Sequence, residues 1–157
     1  MKAAVFMGRG VIETTTLDDL EVQDHEIKVR NMAVGVCGTD IHIFHGEKGS
    51  ADVKPPVVLG HEYAGEVVAV GRAVTGFQVG DRVAVDPNIY CGTCYYCRNG
   101  RKHLCENLTA IGVNRNGGFA EYSVIPEQQA FRLGDTVDFE AGAMAEPLAC
   151  CLHGIDL

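Results

Sequence analysis

Short runs rich in valine, isoleucine and threonine recur along the chain as far as Pro126, and glycine, proline and aspartate separate them. Such runs are typical of β-strands joined by turns. The run over residues 26–36 changes its inward-facing parity near Asn31, which is the effect of a β-bulge. Further strands are predicted at residues 57–59, 82–86 and 120–125. The pattern therefore indicates a mostly β domain with one bulged strand.

Helical periodicity before Pro126 is confined to brief segments. Thr39 or Asp40 is a candidate N-cap for one helical turn over residues 41–45, and Gly46 ends that turn. Residues 46–56 form a polar loop whose final Pro-Pro pair favours an extended entry into the next strand. We expect this loop to overhang a cleft.

The pattern changes after Pro126, where helical segments replace strands. Asp138 is a candidate N-cap for a short helix over residues 139–144. Pro147 is suited to the first position of a second helix, over residues 148–157, so Glu146 is expected at its start. This last helix is apolar on most sides, and we expect further protein to pack against it.

Length and composition narrow the classes of protein to consider. The 157 residues suffice for one domain with a hydrophobic core. A formal net charge of −8 argues against a nucleic-acid or anionic-membrane partner, because both require clustered lysine and arginine. No long apolar segment or export signal is present, which favours the cytoplasm and no membrane contact. Seven clustered cysteines in a reducing compartment indicate thiols or metal ligands rather than disulfides.

The most specific motif is a group of four cysteines within residues 91–105. Three are spaced by two residues and the fourth follows after seven more: Cys91, Cys94, Cys97 and Cys105. Four thiolates can surround a tetrahedral zinc ion and leave no open position, which indicates a structural site. Free or disulfide-bonded cysteines are one alternative. An iron-sulfur cluster is another, although a ferredoxin motif would place its fourth cysteine after three residues and before a proline.

A second candidate site combines different ligand types. A lone His61-Glu62 pair is most simply a solvated or locally paired couple. Cys37 upstream and Glu146 downstream favour a different interpretation, in which Cys37, His61 and one or both glutamates bind zinc. A thiolate, an imidazole and a carboxylate leave the fourth position of zinc open, which is the catalytic pattern.

Residues 60–74 read G-H-E-Y-A-G-E-V-V-A-V-G-R-A-V. The spacing of G-H-E, Gly65, Gly71 and Val74 resembles, without a gap, the zinc signature of the medium-chain alcohol and polyol dehydrogenases. The resemblance covers nearly the whole chain, but only the first half of such an enzyme. An E-P-L sequence at Glu146, where simple alcohol dehydrogenases have cysteine, resembles the sorbitol, threonine and sugar-phosphate dehydrogenase branches.

The resemblance implies a mainly β fold: a GroES-like, partly open β-barrel with a four-cysteine zinc lobe and short helices. Residues 1–147 would form this catalytic domain, with the zinc lobe at 91–105. Residues 148–157 would begin a helix that connects to a Rossmann domain absent from this chain. The implied activity is hydride transfer from a secondary alcohol of a polyol or related substrate to NAD or NADP, by a homo-oligomer with two zinc ions per chain.

The resemblance also assigns roles to individual residues. Thr39 and His42 would form a proton relay, and Glu62 would act at the catalytic zinc. The alternatives are a helix cap for Thr39 and a surface histidine for His42. Asp40 would hold the ring of His61 in one tautomer.

Two other functions are considered. One is a threonine dehydrogenase-like enzyme, and the other is a non-enzymatic GroES-like zinc-binding module. The sequence contains no G-x-G-x-x-G motif, and Gly8-Arg9-Gly10 lacks the third glycine. We therefore expect the chain alone to show no dehydrogenase activity.

Overall fold

A computed structural model describes residues 1–47 and 53–156. Within these residues the strands are β1 Lys2–Gly8, β2 Val11–Thr16, β3 Glu26–Val34, β4 Val57–Val58, β5 Tyr63–Val70, β6 Arg82–Val85, β7 Asn88–Ile89, β8 Thr109–Ala110, β9 Tyr122–Pro126 and β10 Ala130–Arg132. The helices are α1 Gly38–His45, α2 Tyr95–Arg98, α3 Phe139–Ala143 and α4 Ala145–Ile155. The three further strands predicted from the sequence are present, with ends that differ by one or two residues.

Antiparallel pairing organises most of these strands into two sheets. One has the order β10-β6-β5-β3-β9, and the other has the order β2-β1-β4. Backbone bonds join β1 of the smaller sheet to the segment that leads into β9 of the larger one: Ala4 N–H donates to Phe119 O at 2.8 Å, and Glu121 N–H donates to Lys2 O at 3.0 Å. The two sheets therefore curl into a partly open barrel, which confirms the predicted mainly β fold.

The barrel core is formed by alternate residues of the larger sheet. Ile27 and Val29 of β3 are fully buried, and Ile27 is paired in register with Ile125 of β9. Val67 of β5 completes this layer. Because side chains alternate across a strand, the residues between them point away from this layer. Packing in the core thus fixes the positions of β3 and β5, the two strands whose ends lie at the candidate site.

The predicted bulge lies in β3. Its register against β5 shifts between Asn31 and Ala33, and a second shift between Lys28 and Val29 was not expected. The Asn31 side-chain amide donates to two backbone carbonyl oxygens, at 2.9 and 3.1 Å, outside β3. The bulge is therefore anchored, and it sets the direction in which the end of β3 points.

Helix α1 begins earlier than predicted. Its N-cap is Cys37, not Thr39 or Asp40, because the Asp40 carboxylate accepts the backbone N–H of Cys37 at 2.9 Å. This bond is one half of a capping box. Gly46 ends the helix with a left-handed φ of 67°, as predicted. Of the predicted polar loop over residues 46–56, residues 48–52 lie outside the described residues.

The helices after β10 follow the prediction in part. Asp138 caps α3 by accepting the N–H of Ala141 at 2.7 Å. Helix α4 begins at Ala145 rather than at residue 148, so Pro147 lies inside its first turn, where a helix needs no N–H. Leu157, the last residue of the predicted helix, lies outside the described residues. Within the described ranges, no helix combines the length and apolar character that crossing a membrane would require.

Candidate metal centres

The mixed site is assembled by two neighbouring strands. Cys37 follows the end of β3, whereas His61 and Glu62 come just before the start of β5. These strands are antiparallel, with Val34 opposite Tyr63, so the end of one lies beside the start of the other. One donor atom from each of the three residues Cys37, His61 and Glu62 lies within 4.8 Å of the other two.

The side chains of this three-residue group are largely buried, and a bound cation would compensate for the cost of burying them. His61 is 8% exposed and Glu62 is 9% exposed, while Cys37 is half-buried. The Nδ1 atom of His61 is buried without a hydrogen-bond partner in the described part of the chain. A buried carboxylate and an unpaired ring nitrogen are costly unless something compensates them. Thiolate, imidazole and carboxylate donors are those that zinc prefers, so the group fits this ion.

Asp40 was expected to hold the ring of His61, and its carboxylate faces that ring. Its Oδ1 lies 3.7 Å from His61 Nδ1, which is within ion-pair distance but longer than a hydrogen bond. Its Oδ2 accepts the N–H of Cys37 at 2.9 Å, and its Oδ1 accepts the N–H of Gly60 at 3.4 Å. Burial raises the pKa of the Asp40 carboxyl above its usual value. Asp40 therefore ties together the two backbone segments that present the site.

Glu146 is separate from the other three candidate ligands. It lies in the first turn of α4 and does not belong to the group formed by Cys37, His61 and Glu62. Its Oε1 accepts a hydrogen bond from the Cys150 thiol at 3.3 Å. Burial, together with this hydrogen bond, raises the pKa of Cys150 to about 11. Of the two glutamates, Glu62 is the one whose carboxylate lies within 4.8 Å of the donor atoms of Cys37 and His61.

Thr39 and His42 lie on successive turns of α1. Thr39 is half-buried, whereas the His42 side chain is 61% exposed to solvent. The Nδ1 atom of His42 lies 2.5 Å from Oε2 of Glu47, a contact that was not predicted from the sequence. The left-handed Gly46 turns the chain back, so that the Glu47 N–H donates to His42 O at 2.9 Å. A glutamate directly after a predicted C-cap glycine was the signal for this contact.

The four-cysteine group is formed within one short segment. Helix α2 starts after Cys94, and a 3-10 turn over Lys102–Leu104 returns the chain to the fourth thiol. No disulfide joins these cysteines. One sulfur from each of the four lies within 4.8 Å of the others: Cys91, Cys94, Cys97 and Cys105. Four converging thiols fit a closed, tetrahedral zinc site.

Backbone N–H groups point at the sulfurs of this group. The N–H of Cys91 and that of Asn107 donate to Cys105 Sγ at 3.3 and 3.4 Å, and the N–H of Cys94 donates to Cys91 Sγ at 3.4 Å. Bonds from the backbone of Thr93 and Cys94 lower the pKa of Cys91 to about 5. These bonds favour the thiolate of Cys91, which is the form that binds metal, whereas burial raises the pKa of the Cys97 thiol to about 12.

Comparisons with known proteins agree with this architecture. Residues 23–135 match the family described as the alcohol dehydrogenase GroES-like domain. A curated relative, L-threonine 3-dehydrogenase of Pectobacterium carotovorum, is 47% identical over 136 residues, which are 86% of this chain and 39% of that protein. The corresponding enzyme of Vibrio parahaemolyticus is 44% identical over 88% of this chain and 41% of its own length. The chain thus spans about two fifths of the length of these relatives.

Two solved structures share the fold over nearly the whole chain. A proposed zinc-binding dehydrogenase of Sinorhizobium meliloti, bound to NADP, is 47% identical with a TM-score of 0.93, over 99% of this chain and 44% of that chain. Galactitol-1-phosphate dehydrogenase of Escherichia coli is 34% identical with a TM-score of 0.92, over the same shares of the two chains. The resemblance inferred from the zinc signature is therefore confirmed, and the chain belongs to the alcohol dehydrogenase GroES-like domain family.

Proposed function

We propose that this chain is the zinc-binding catalytic domain of an NAD(P)-dependent dehydrogenase that removes a hydride from a secondary alcohol. The observation that carries the proposal is the convergence of Cys37, His61 and Glu62 at the ends of two neighbouring strands. A non-enzymatic zinc module would not require a mixed ligand set with an open position. The dehydrogenases named among the relatives support the same activity.

Two groups of residues would hold zinc. The four thiols of residues 91–105 would hold a structural ion, and Cys37, His61 and Glu62 would hold the catalytic one. Glu146 stays a candidate for contact with this ion, directly or through a water molecule, because its carboxylate accepts a hydrogen bond only from the Cys150 thiol within the described residues. A zinc ion bound at the mixed group would lower the pKa of an oxygen ligand and stabilise negative charge on it.

The residues of α1 would move the proton released from the substrate alcohol. Thr39 Oγ1, one turn nearer to Cys37, would accept this proton and donate its own towards His42. The exposed imidazole of His42 would then release a proton to water. Glu47 Oε2 at His42 Nδ1 would orient the ring.

The nicotinamide would be bound outside this chain. No glycine-rich turn between a strand and a helix occurs in the sequence, and such a turn is what binds the pyrophosphate of a dinucleotide. We propose that residues 1–147 form the catalytic domain, with the zinc lobe at 91–105, and that residues 148–157 begin the connection to the cofactor-binding domain. The complete enzyme would be a cytoplasmic homo-oligomer.

The substrate would be a polyol or a hydroxy amino acid. L-threonine, named in the curated relatives, and 2,3-butanediol, the diol of a solved relative from Bacillus subtilis, each carry a secondary hydroxyl group. L-threonine is the first substrate to test because its dehydrogenases match this chain at 44–47% identity. A sugar alcohol or its phosphate is the second, since galactitol-1-phosphate dehydrogenase shares 34% identity.

A substrate panel on the complete polypeptide that contains this chain tests the proposal. Reduced cofactor is followed with NAD or NADP and with L-threonine, butanediol, sorbitol or galactitol-1-phosphate. We expect turnover with one class, no turnover in Cys37→Ser, and a loss of about 10²- to 10⁴-fold in His42→Ala. A zinc-loaded, folded protein that is inactive on the whole panel would favour the non-enzymatic module. Equal rates in wild type and Cys37→Ser would remove the mixed site from the mechanism.

A further inference from the structure

Gly35 lies between the end of β3 and the ligand Cys37. Its N–H donates to the backbone oxygen of Glu62 at 2.7 Å, which continues the pairing of β3 with β5. Gly35 is not among the glycines with a left-handed φ. Its backbone conformation is therefore open to any residue, and the reason for glycine must lie in the space around it.

That space is taken by the side chain of Glu62. A Cβ atom at residue 35 would lie 2.6 Å from Glu62 Oε2 and 3.2 Å from Glu62 Cβ. Non-bonded heavy atoms pack best at about 3.5–4.0 Å, so the first of these contacts is a clash. The carboxylate of Glu62 passes directly over the position where any other residue would place its side chain.

We propose that Gly35 is a positioning residue: its missing side chain allows the Glu62 carboxylate to lie beside Cys37 and His61. The inference rests on the proposed function, because it gives this carboxylate a metal to bind. The Glu62 side chain is buried, and its Oε2 is the atom nearest to the position that a Cβ at residue 35 would occupy. A methyl group at residue 35 would therefore push the carboxylate out of this position, because the two cannot occupy the same space.

Gly35→Ala is expected to weaken zinc binding at the mixed site without lowering the stability of the fold. The 2.6 Å clash is with the far end of a flexible side chain, which can move without displacing the backbone, and the 3.2 Å contact with Glu62 Cβ requires a shift of only a few tenths of an ångström. Gly35→Ala should therefore fold normally. Its affinity for zinc at the mixed site should fall by about 10- to 100-fold, the range found when a group that orients a metal ligand is lost.

The test is competition between the purified protein and a colorimetric zinc chelator. The four-cysteine site in the same molecule serves as the internal reference. Gly38→Ala is the matched control, because Gly38 is the first residue after Cys37 and a Cβ there would meet nothing within 4 Å. We expect Gly35→Ala to release its weaker zinc at lower chelator concentration, while Gly38→Ala and the reference site behave as in wild type.

A double-mutant cycle shows whether the carboxylate is the cause. Glu62→Gln should weaken the mixed site in wild type but add little in Gly35→Ala, where the carboxylate is already displaced. Additive losses would mean that residue 35 acts through the backbone and would overturn the inference. Unchanged zinc affinity in Gly35→Ala would overturn it as well, with the proposed function left standing. A wild-type protein that binds only one zinc would refute both.

Discussion

Replacing Asp40 by asparagine should destabilise the segments that present the mixed site. Asp40 is 4% exposed, and its two oxygens accept the N–H groups of Cys37 and Gly60 at 2.9 and 3.4 Å. Asparagine has the same shape but offers one acceptor oxygen, so its NH₂ group must face one of these two donors. One hydrogen bond is lost, and one buried N–H is left without a partner.

Two effects of opposite sign determine the magnitude. Losing a hydrogen bond to a charged acceptor costs about 1.5–3 kcal/mol. Removing the charge offsets part of this cost, because burial raises the pKa of Asp40 and therefore disfavours its ionised form. We expect a net loss of about 1–2 kcal/mol in the free energy of unfolding. For a chain of this size the loss corresponds to a decrease in Tm of about 2–8 °C.

Urea unfolding followed by circular dichroism measures the effect, with and without added zinc. The difference between wild type and Asp40→Asn should persist in both conditions, because the two hydrogen bonds belong to the protein. Asp18→Asn is the matched control: Asp18 is exposed, and the same chemical change there should alter stability by less than about 0.5 kcal/mol. An Asp40→Asn midpoint equal to that of wild type would show that Asp40 does not hold the two segments together.

Three further outcomes are expected. Metal analysis should give two zinc equivalents in wild type and one in either Cys94→Ser or Cys37→Ser. Only Cys94→Ser should lower Tm markedly, because its zinc stabilises the fold. Equal losses of Tm in the two variants would contradict the division into structural and catalytic sites. Gly65→Ala should destabilise by several kcal/mol in urea, because its Cβ would lie 2.1 Å from a backbone oxygen of β3, whereas Gly38→Ala should be near neutral. Ile125→Ala, at a fully buried position, should cost about 2–5 kcal/mol, and a smaller loss would mean that the core relaxes around the cavity.

The candidate metal ligands could be predicted from the sequence where they lie close together along the chain. The four cysteines lie within 15 positions of one another, so their spacing alone restricts which ions they can surround. Local spacing does not connect Cys37 with His61 and Glu62, because 24 positions separate the first two; their donor types suggested the group, and the family resemblance supported it. Their convergence depends on the pairing of β3 with β5, which no local pattern specifies.

The helix boundaries illustrate the same limit. Asp138 was predicted correctly as an N-cap, since its bond to Ala141 joins residues of one helical turn. The start of α1 was predicted two or three residues too late. The Asp40 carboxylate bonds back to Cys37 and also to Gly60, and the second of these contacts exists only once β5 lies beside β3.

The sequence by itself determined the mainly β class, the bulge near Asn31, the four-cysteine group and the residue types available as ligands in the mixed group. These features depend on alternation, on turn residues or on donors spaced within one or two turns, and such interactions act over a few positions of the chain. Tertiary structure alone brought Glu62 within 4.8 Å of Cys37 and His61, let Asp40 bind two backbone segments, and placed the Glu62 side chain over Gly35. Each of these depends on the register of two antiparallel strands, in which a shift of one residue would exchange the faces to which the side chains point.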